Sequence, residues 1–364
     1  MNKGIKILVI ILIVLIIIAG GIFAYKIYKD KIKDASNIAD ENVENVENND
    51  ALEVPIKTVQ TFKGNDRPIA VMIDNHKAAL PQAGLNDAYM VYEIIVEGGE
   101  SRLMALFKGK SMDKIGPVRS SRHYFLDYAL ENDAIYVHFG WSPQAEYDIS
   151  SLKVNNINGI SESEKSFWRT KDKSAPHNVA TSTEKILQIA KRKGYATTSD
   201  KKSILNYTAD EVELKNGMNA DEITIPYSQS NTVKYTYNSE TKRYQRYSKG
   251  IEETDWTTKE KVTTKNIIIT FARNAVINDG ENKDRQTLYN IATLDGYYIT
   301  NGKAIKITCE KTSRNSQTVY KDLDGNEIKV NDGNTFVQIC PINAKVEIVG
   351  NGEDVENIEN TENM

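Results

Sequence analysis

The feature that most constrains this chain is Ile7 to Tyr25, an unbroken apolar run of 19 residues. As a helix rising 1.5 Å per residue it spans about 28 Å, close to the ~30 Å hydrocarbon core of a bilayer. The first expectation is therefore a single-pass signal-anchor over residues 1–29, attaching the chain to the cell membrane. A cleaved signal peptide is the alternative, but its apolar region typically runs ~7–15 residues, and Ala19-Gly20-Gly21 is a weak cleavage site. No cysteine lies near the end of the run, so a lipid-modified N-terminus is not expected. Lys3 and Lys6 precede the run and Lys26, Lys29, Lys31 and Lys33 follow it, offset by Asp30 and Asp34, so charge alone leaves the orientation open. The six-residue lead before a long apolar run reads as an export signal, which places the bulk of the chain outside the cytoplasm.

The rest of the 364 residues suffices for two ordinary domains with appendages. Hydrophobic residues make up 40%, enough for real cores, which rules out wholesale disorder. Lys and Arg number 46 against 50 Asp and Glu, a net charge of −4, and this disfavours nucleic-acid binding. Residues 30–54 are rich in Asp, Glu, Asn and Lys and read as a solvated tether, with a helical extension of the span as the competing reading. Residues 350–364 form a similar acidic tail.

The fold class expected is α+β: an N-terminal α/β mixed-sheet domain over 55–200, a connector over 201–221, and a β-rich domain over 222–349. Ile69–Ile73, Ala88–Val96, Arg102–Phe107 and Ala134–Phe139 are short apolar runs that read as buried strands. Glu97–Glu100 forms a turn between the second and third. Ser120–Asn132 and Thr183–Lys193 have helical spacing, the latter capped by Thr183 and closed by Gly194. In the second block Val233–Tyr237, Asn266–Phe271 and Thr335–Cys340 read as strands. Tyr297–Cys309 reads as a hairpin around Asn301-Gly302.

Several stretches together resemble one family. Arg67–Asn75, Tyr92-Glu93 with Glu97-Gly98-Gly99 and Arg102, Ile115–Arg122, Val137–Ala145 and Ala175–Asn178 are similar to the first domain of the YerB-type lipoproteins of Gram-positive bacteria. Tyr244-Gln245-Arg246, Asn266–Ile269, Thr318–Ile328 and Asn331–Ile339 followed by Pro341 resemble that family's C-terminal domain. The resemblance covers residues 60–348. It implies an exported, membrane-attached protein and no settled activity. The chain departs from the family in having an apolar span in place of a lipid-attachment cysteine. Cys309 stands where an aromatic residue is more usual, and His123 is atypical.

Candidate ligand-binding residues gather in the first block. Asp74 and Asn75 end one strand, Glu97 ends the next, and His138 lies in a fourth; strand ends in α/β folds are where ligand groups gather. The plainer reading of Asp74-Asn75 is an Asx turn, compatible with a site. Gly116–Arg122 is the sharpest feature. Ser120 or Ser121 is expected to cap the following helix, whose N–H groups attract an anion. Arg119 and Arg122 add planar donors, with Arg102 joining from a neighbouring strand. The competing reading is a structural ion network of these arginines with Glu93, Glu97 or Glu100.

Other chemistries are weaker. Ser120 or Ser121 as nucleophile, with His138 as base and Asp74 as orienter, lacks a Gly-x-Ser-x-Gly elbow. His76, His123, His138 and His177 show neither Cys-x-x-Cys nor His-Glu-x-x-His spacing, so no metal or other cofactor is expected, and His138 and His177 are assigned hydrogen bonds within the fold. Glu93 and Glu97 on one strand face would suit acid/base work. Asp322–Glu327 reads as a hairpin turn rather than a calcium loop. Cys309 and Cys340 are open to pairing or to remaining free thiols. Tyr235, Tyr237, Tyr244, Tyr247, Tyr297 and Tyr298 offer stacking surfaces or simply favour strands. Three functional readings follow. The leading one is an envelope protein binding an anionic ligand or a partner protein through the three arginines. The others are an enzyme acting on glycan phosphates and a non-catalytic scaffold.

Overall fold

The computed structural model describes residues 57–350, apart from 282, and the backbone of a short strand at Glu356–Asn357. They belong to one compact unit that begins at Lys57. The expected span at residues 7–25, the tether to residue 54 and the tail beyond residue 350 lie outside the described residues, apart from that short strand. No helix among the described residues is long and apolar enough to cross a membrane.

The first block carries β1 (Ile69–Asp74), β2 (Met90–Ile95), β3 (Ser101–Phe107), α1 (Phe125–Glu131), β4 (Ile135–His138), α2 (Pro143–Ser151), β5 (Asn156–Asn158) and α3 (Thr183–Arg192). The second carries β6 (Glu222–Ser228), β7 (Asn231–Asn238), β8 (Arg243–Ser248), β9 (Asn266–Val276), β10 (Thr293–Thr300), β11 (Lys303–Glu310), β12 (Val319–Lys321), β13 (Thr335–Pro341) and β14 (Glu347–Val349). The two blocks share one twelve-stranded sheet whose main path of ten strands runs β12-β11-β10-β9-β13-β2-β3-β1-β4-β5, with two short strands off it, Gln286–Tyr289 on β9 and Met218–Asn219 on β11. The junction is a parallel pairing of β2 with β13, from Met90 opposite Thr335 to Ile94 opposite Ile339. A second sheet, built on β8-β7-β6-β14, comes wholly from the second block.

The central strands are buried on both faces, which is why they read as continuous apolar runs. Alternate residues enter different cores. Val71, Ile73, Val91 and Leu103 pack with Ile223, Val233 and Tyr235 of the second sheet and with Ile186 and Ile189 of α3. Ala70, Met72, Tyr92 and Met104 pack on the other face with Phe125 and Leu126 of α1. Each Val, Leu, Ile, Met or Phe among them contributes roughly 1.5–3 kcal/mol on burial. β2 and β3 form the expected hairpin across Glu97–Gly99. β10 and β11 turn at Asn301 and Gly302, both with positive φ (51° and 73°), the geometry that favours Asn-Gly.

Several local expectations need correction. The helix expected from Ser120 begins at Phe125, behind Tyr124, which makes no side-chain cap. Residues 118–121 are instead extended and hydrogen-bonded into the sheet region: Arg119 N–H donates to the Met72 carbonyl (2.9 Å) and Ser121 N–H to the Gly140 carbonyl (2.9 Å). Ser182, not Thr183, caps α3, because the Thr183 hydroxyl accepts from the Met112 N–H. Tyr235, Tyr244, Tyr297 and Tyr298 are buried and offer no stacking surface. Cys309 and Cys340 are both buried free thiols.

Candidate functional site

β1 and β4 run parallel side by side, and β1 ends in Asp74. The Asp74 carboxylate is almost fully buried. Its Oδ1 accepts the His76 N–H (3.1 Å), closing the expected Asx turn. Its Oδ2 meets two cationic or ionisable partners, His177 Nδ1 at 2.8 Å and Arg119 Nε at 3.2 Å. The ring of His76 stacks on that of His177, with centroids 4.4 Å apart and planes within 15°. His76 is exposed and its Nδ1 accepts the Ala78 N–H. The Arg119 side chain is 25% exposed and that of His177 16%. Neither the two Arg119 Nη atoms nor His177 Nε2 has a hydrogen-bond partner among the described residues.

Arg102 lies directly across the β1–β3 ladder from Asp74 and begins a second cluster. Its Nη2 pairs with Glu97 Oε1 at 3.0 Å and its Nη1 donates to the Ser120 carbonyl at 2.6 Å. Arg122 forks onto the same carboxylate, Nε to Oε2 at 2.9 Å and Nη2 to Oε1, and donates through Nη1 to the Ser121 carbonyl. Burial alone would push the Glu97 carboxyl up; the Arg122 hydrogen bonds and the two guanidinium charges outweigh it and hold it at about 2. Arg102 is lowered to about 10, by burial first and then by the neighbouring Arg122 charge. The ion-network reading therefore holds for Arg102 and Arg122, with Glu97 as partner. Arg119 is the most exposed of the three, and both its Nη atoms lack a partner among the described residues.

Three expected residues lie elsewhere. Glu93 is fully buried in a network between the blocks: its Oε1 accepts from Asn75 Nδ2 (3.0 Å) and Ser101 Oγ (2.6 Å), and its Oε2 is 3.1 Å from Arg246 Nη2. Asn75 is thus spent on this network, its Oδ1 accepting from Gln82. Glu93 and Glu97 do not face each other as an acid/base pair, since Glu97 sits in the turn after β2. His138 is buried, with Nδ1 on the Gly140 carbonyl (2.8 Å) and Nε2 facing Asn156 Oδ1 (3.3 Å). Burial pushes its pKa down to about 4. His138 makes no contact with Asp74, so a Ser–His138–Asp74 relay is not assembled. The imidazole on Asp74 is His177, 103 residues along the chain.

Sequence reasoning missed the partners across the blocks. Arg246 is held by Glu93 and by Glu253 (Nε to Oε2, 2.8 Å). Lys311 pairs with Glu131 at 2.8 Å, and Arg314 reaches Asp127 and Asp148. For Arg246 the sequence offered its place in the Tyr244-Gln245-Arg246 stretch and a charged residue in a strand, but not its partners.

Comparison with known proteins locates these elements in a wider group. The model of the DUF3048 N-terminal domain, described as a protein of unknown function, matches residues 56–196, and its C-terminal companion matches residues 223–337. A relative from Bacillus subtilis (strain 168), printed as "Putative lipoprotein YerB", is 34% identical over 221 residues, 60% of this chain. The match spans 66% of that protein, just under two thirds of its length. The crystal structure of the YerB protein from Bacillus subtilis superposes with a TM-score of 0.69 at 29% identity, covering 78% of this chain and 94% of that one.

Proposed function

The chain belongs to the DUF3048 family of two-domain proteins, and from that premise we propose that it is a membrane-anchored protein of the extracytoplasmic envelope that binds an anionic ligand at Arg119 and His177. The lipoprotein name of the relative supports membrane attachment and export. Here the apolar run Ile7–Tyr25 serves as the anchor, since no cysteine lies near its end. One observation carries the ligand reading: a single buried oxygen, Asp74 Oδ2, holds both Arg119 Nε and His177 Nδ1 and leaves their remaining nitrogens to solvent. A guanidinium so anchored is pre-organised for a phosphate or carboxylate. The Arg119 and Asp74 charges balance, and the adjoining Arg102–Arg122–Glu97 cluster carries one positive charge in excess, which favours an incoming anion.

The test is calorimetric titration of the full chain with inorganic pyrophosphate. Arg119→Ala is expected to weaken binding by about tenfold or more, or about 1.4 kcal/mol, with Arg119→Lys intermediate and stability changed by less than about 0.5 kcal/mol. Unchanged affinity in Arg119→Ala would refute the site. If the substitution unfolds the block, Arg119 belongs to the structural network instead.

A hydrolytic reading has one observation in its favour, the Asp74–His177 pair. A neutral His177 that donates Nδ1–H to Asp74 presents Nε2 as a base. Turnover of glycan phosphates that disappears in Asp74→Asn, with the fold intact, would select this reading over binding alone.

A further inference from the structure

The motif Val137–Ala145 is not absorbed by the arginine cluster, yet it builds one wall of a separate hollow of about 520 Å3 along β5, the edge strand of the large sheet. Three features shape it. Trp141 is half-buried, and its ring leans on that of His138 with centroids 5.5 Å apart. Gly140, with φ +83°, lets the chain turn between them; its N–H donates to Asn158 Oδ1 (3.0 Å) and its carbonyl accepts from His138. The Asn158 oxygen also takes the Ile160 N–H (3.2 Å), so the buried amide is locked, and its Nδ2 has no partner among the described residues. Ile149 and Val154 supply an apolar floor, and Glu146, Lys153 and Lys193 stand exposed at the rim with no ion pair among the described residues.

An indole beside a fixed amide donor is the complement of a hexopyranose ring, which has one apolar C–H face and a belt of hydroxyls. The volume falls within the range of small-molecule sites. A purely apolar ligand would leave the Asn158 amide and the ammonium groups unmatched. Two lysines against one glutamate favour an acidic substituent on the sugar. We infer that the Trp141 hollow is a saccharide subsite for one or two hexopyranose units carrying an acidic group. It stands independently of the Arg119–His177 reading, although Ser121 pairs with Trp141 and so links the two walls.

The experiment titrates the full chain, solubilised in a detergent without a sugar head group, with digalacturonate, reading tryptophan emission and heat. Binding should quench or shift the emission. Trp141→Ala should lower affinity by about tenfold or more, while Trp141→Phe stays within about threefold. Paired Lys153→Ala and Lys193→Ala substitutions should weaken binding and flatten its salt dependence. No binding at ~10 mM, well past a 1 mM dissociation constant, or full affinity in a folded Trp141→Ala chain, would overturn the inference. Loss of digalacturonate binding in Arg119→Ala alone would overturn it too, by moving the ligand to the arginine cluster.

Discussion

Arg246 on β8 holds its guanidinium 3.1 Å from the Glu93 carboxylate on β2, and both side chains are fully buried. Glu253 takes the Nε of the same guanidinium, and the Arg246 group lies 5.4 Å from the centre of the Phe336 ring. Burial pushes the Glu253 carboxyl up against the pull of Arg246. Removing the cation leaves two carboxylates in an apolar setting. Arg246→Met should therefore cost about 3–5 kcal/mol in urea denaturation. Replacing all three charges together, as Glu93→Gln, Arg246→Met and Glu253→Gln, should recover most of that loss, because the pair's own desolvation disappears with it. A small effect of Arg246→Met alone would show that water reaches the network.

Glu97 sets the most acidic limb of stability. Its carboxyl falls from 4.5 to about 2 in the folded chain, so the unfolded state binds the extra proton first. The contribution is fully present above pH ~4.5 and is lost as pH falls through about 2, on the order of 3 kcal/mol. Glu97→Gln should flatten the stability profile in that window. It should also loosen Arg102 and Arg122, which share this carboxylate. Denaturation midpoints at intervals between pH 5 and 2 check both points.

A second acid window belongs to His138 and His123, both lowered from 6.5 to about 4, chiefly by burial. The folded state holds them neutral while the unfolded state protonates them. Their contribution is complete above pH ~6.5 and disappears as pH falls through about 4. Proton NMR should place the His138 midpoint near 4, and His138→Gln should reduce the slope of stability between pH 6.5 and 4. A midpoint near 6.5 would mean that the ring is solvated, contrary to its full burial.

What was legible in the sequence follows from locality. Ile69–Ile73 and Arg102–Phe107 announce buried strands because their apolar runs are bounded by turn residues, and both lie within one residue of β1 and β3. Asn301-Gly302 announces its hairpin because only such residues accept two positive φ values. Asp74, Arg119 and His177 stand out by type. Their convergence does not, since His177 reaches Asp74 across 103 residues. The helix expected from Ser120 failed because Arg119 and Ser121 spend their backbone groups on Met72 and Gly140, a tertiary pairing that overrides local spacing. Arg246 was missed because a strand arginine normally faces water, whereas this one meets two buried acids.

The shared sheet yields the last prediction. β2 is flanked by β3 on one side and by β13 on the other. A fragment of residues 57–200 has no β13, so β2 becomes an edge with its backbone groups open on one side. Its Glu93 loses Arg246, and Glu131, buried beneath Tyr92, loses Lys311 together with the Thr318 hydroxyl and N–H. Asp127 and Asp148 lose Arg314. Four buried carboxylates without these counterions, at up to several kcal/mol each, rival the 5–15 kcal/mol stability of a typical domain. The fragment should therefore show no cooperative unfolding transition and poor dispersion in a proton–nitrogen correlation spectrum, while adding residues 201–350 restores both. A fragment that melts cooperatively by itself would show that the β2–β13 junction adds little to the first block.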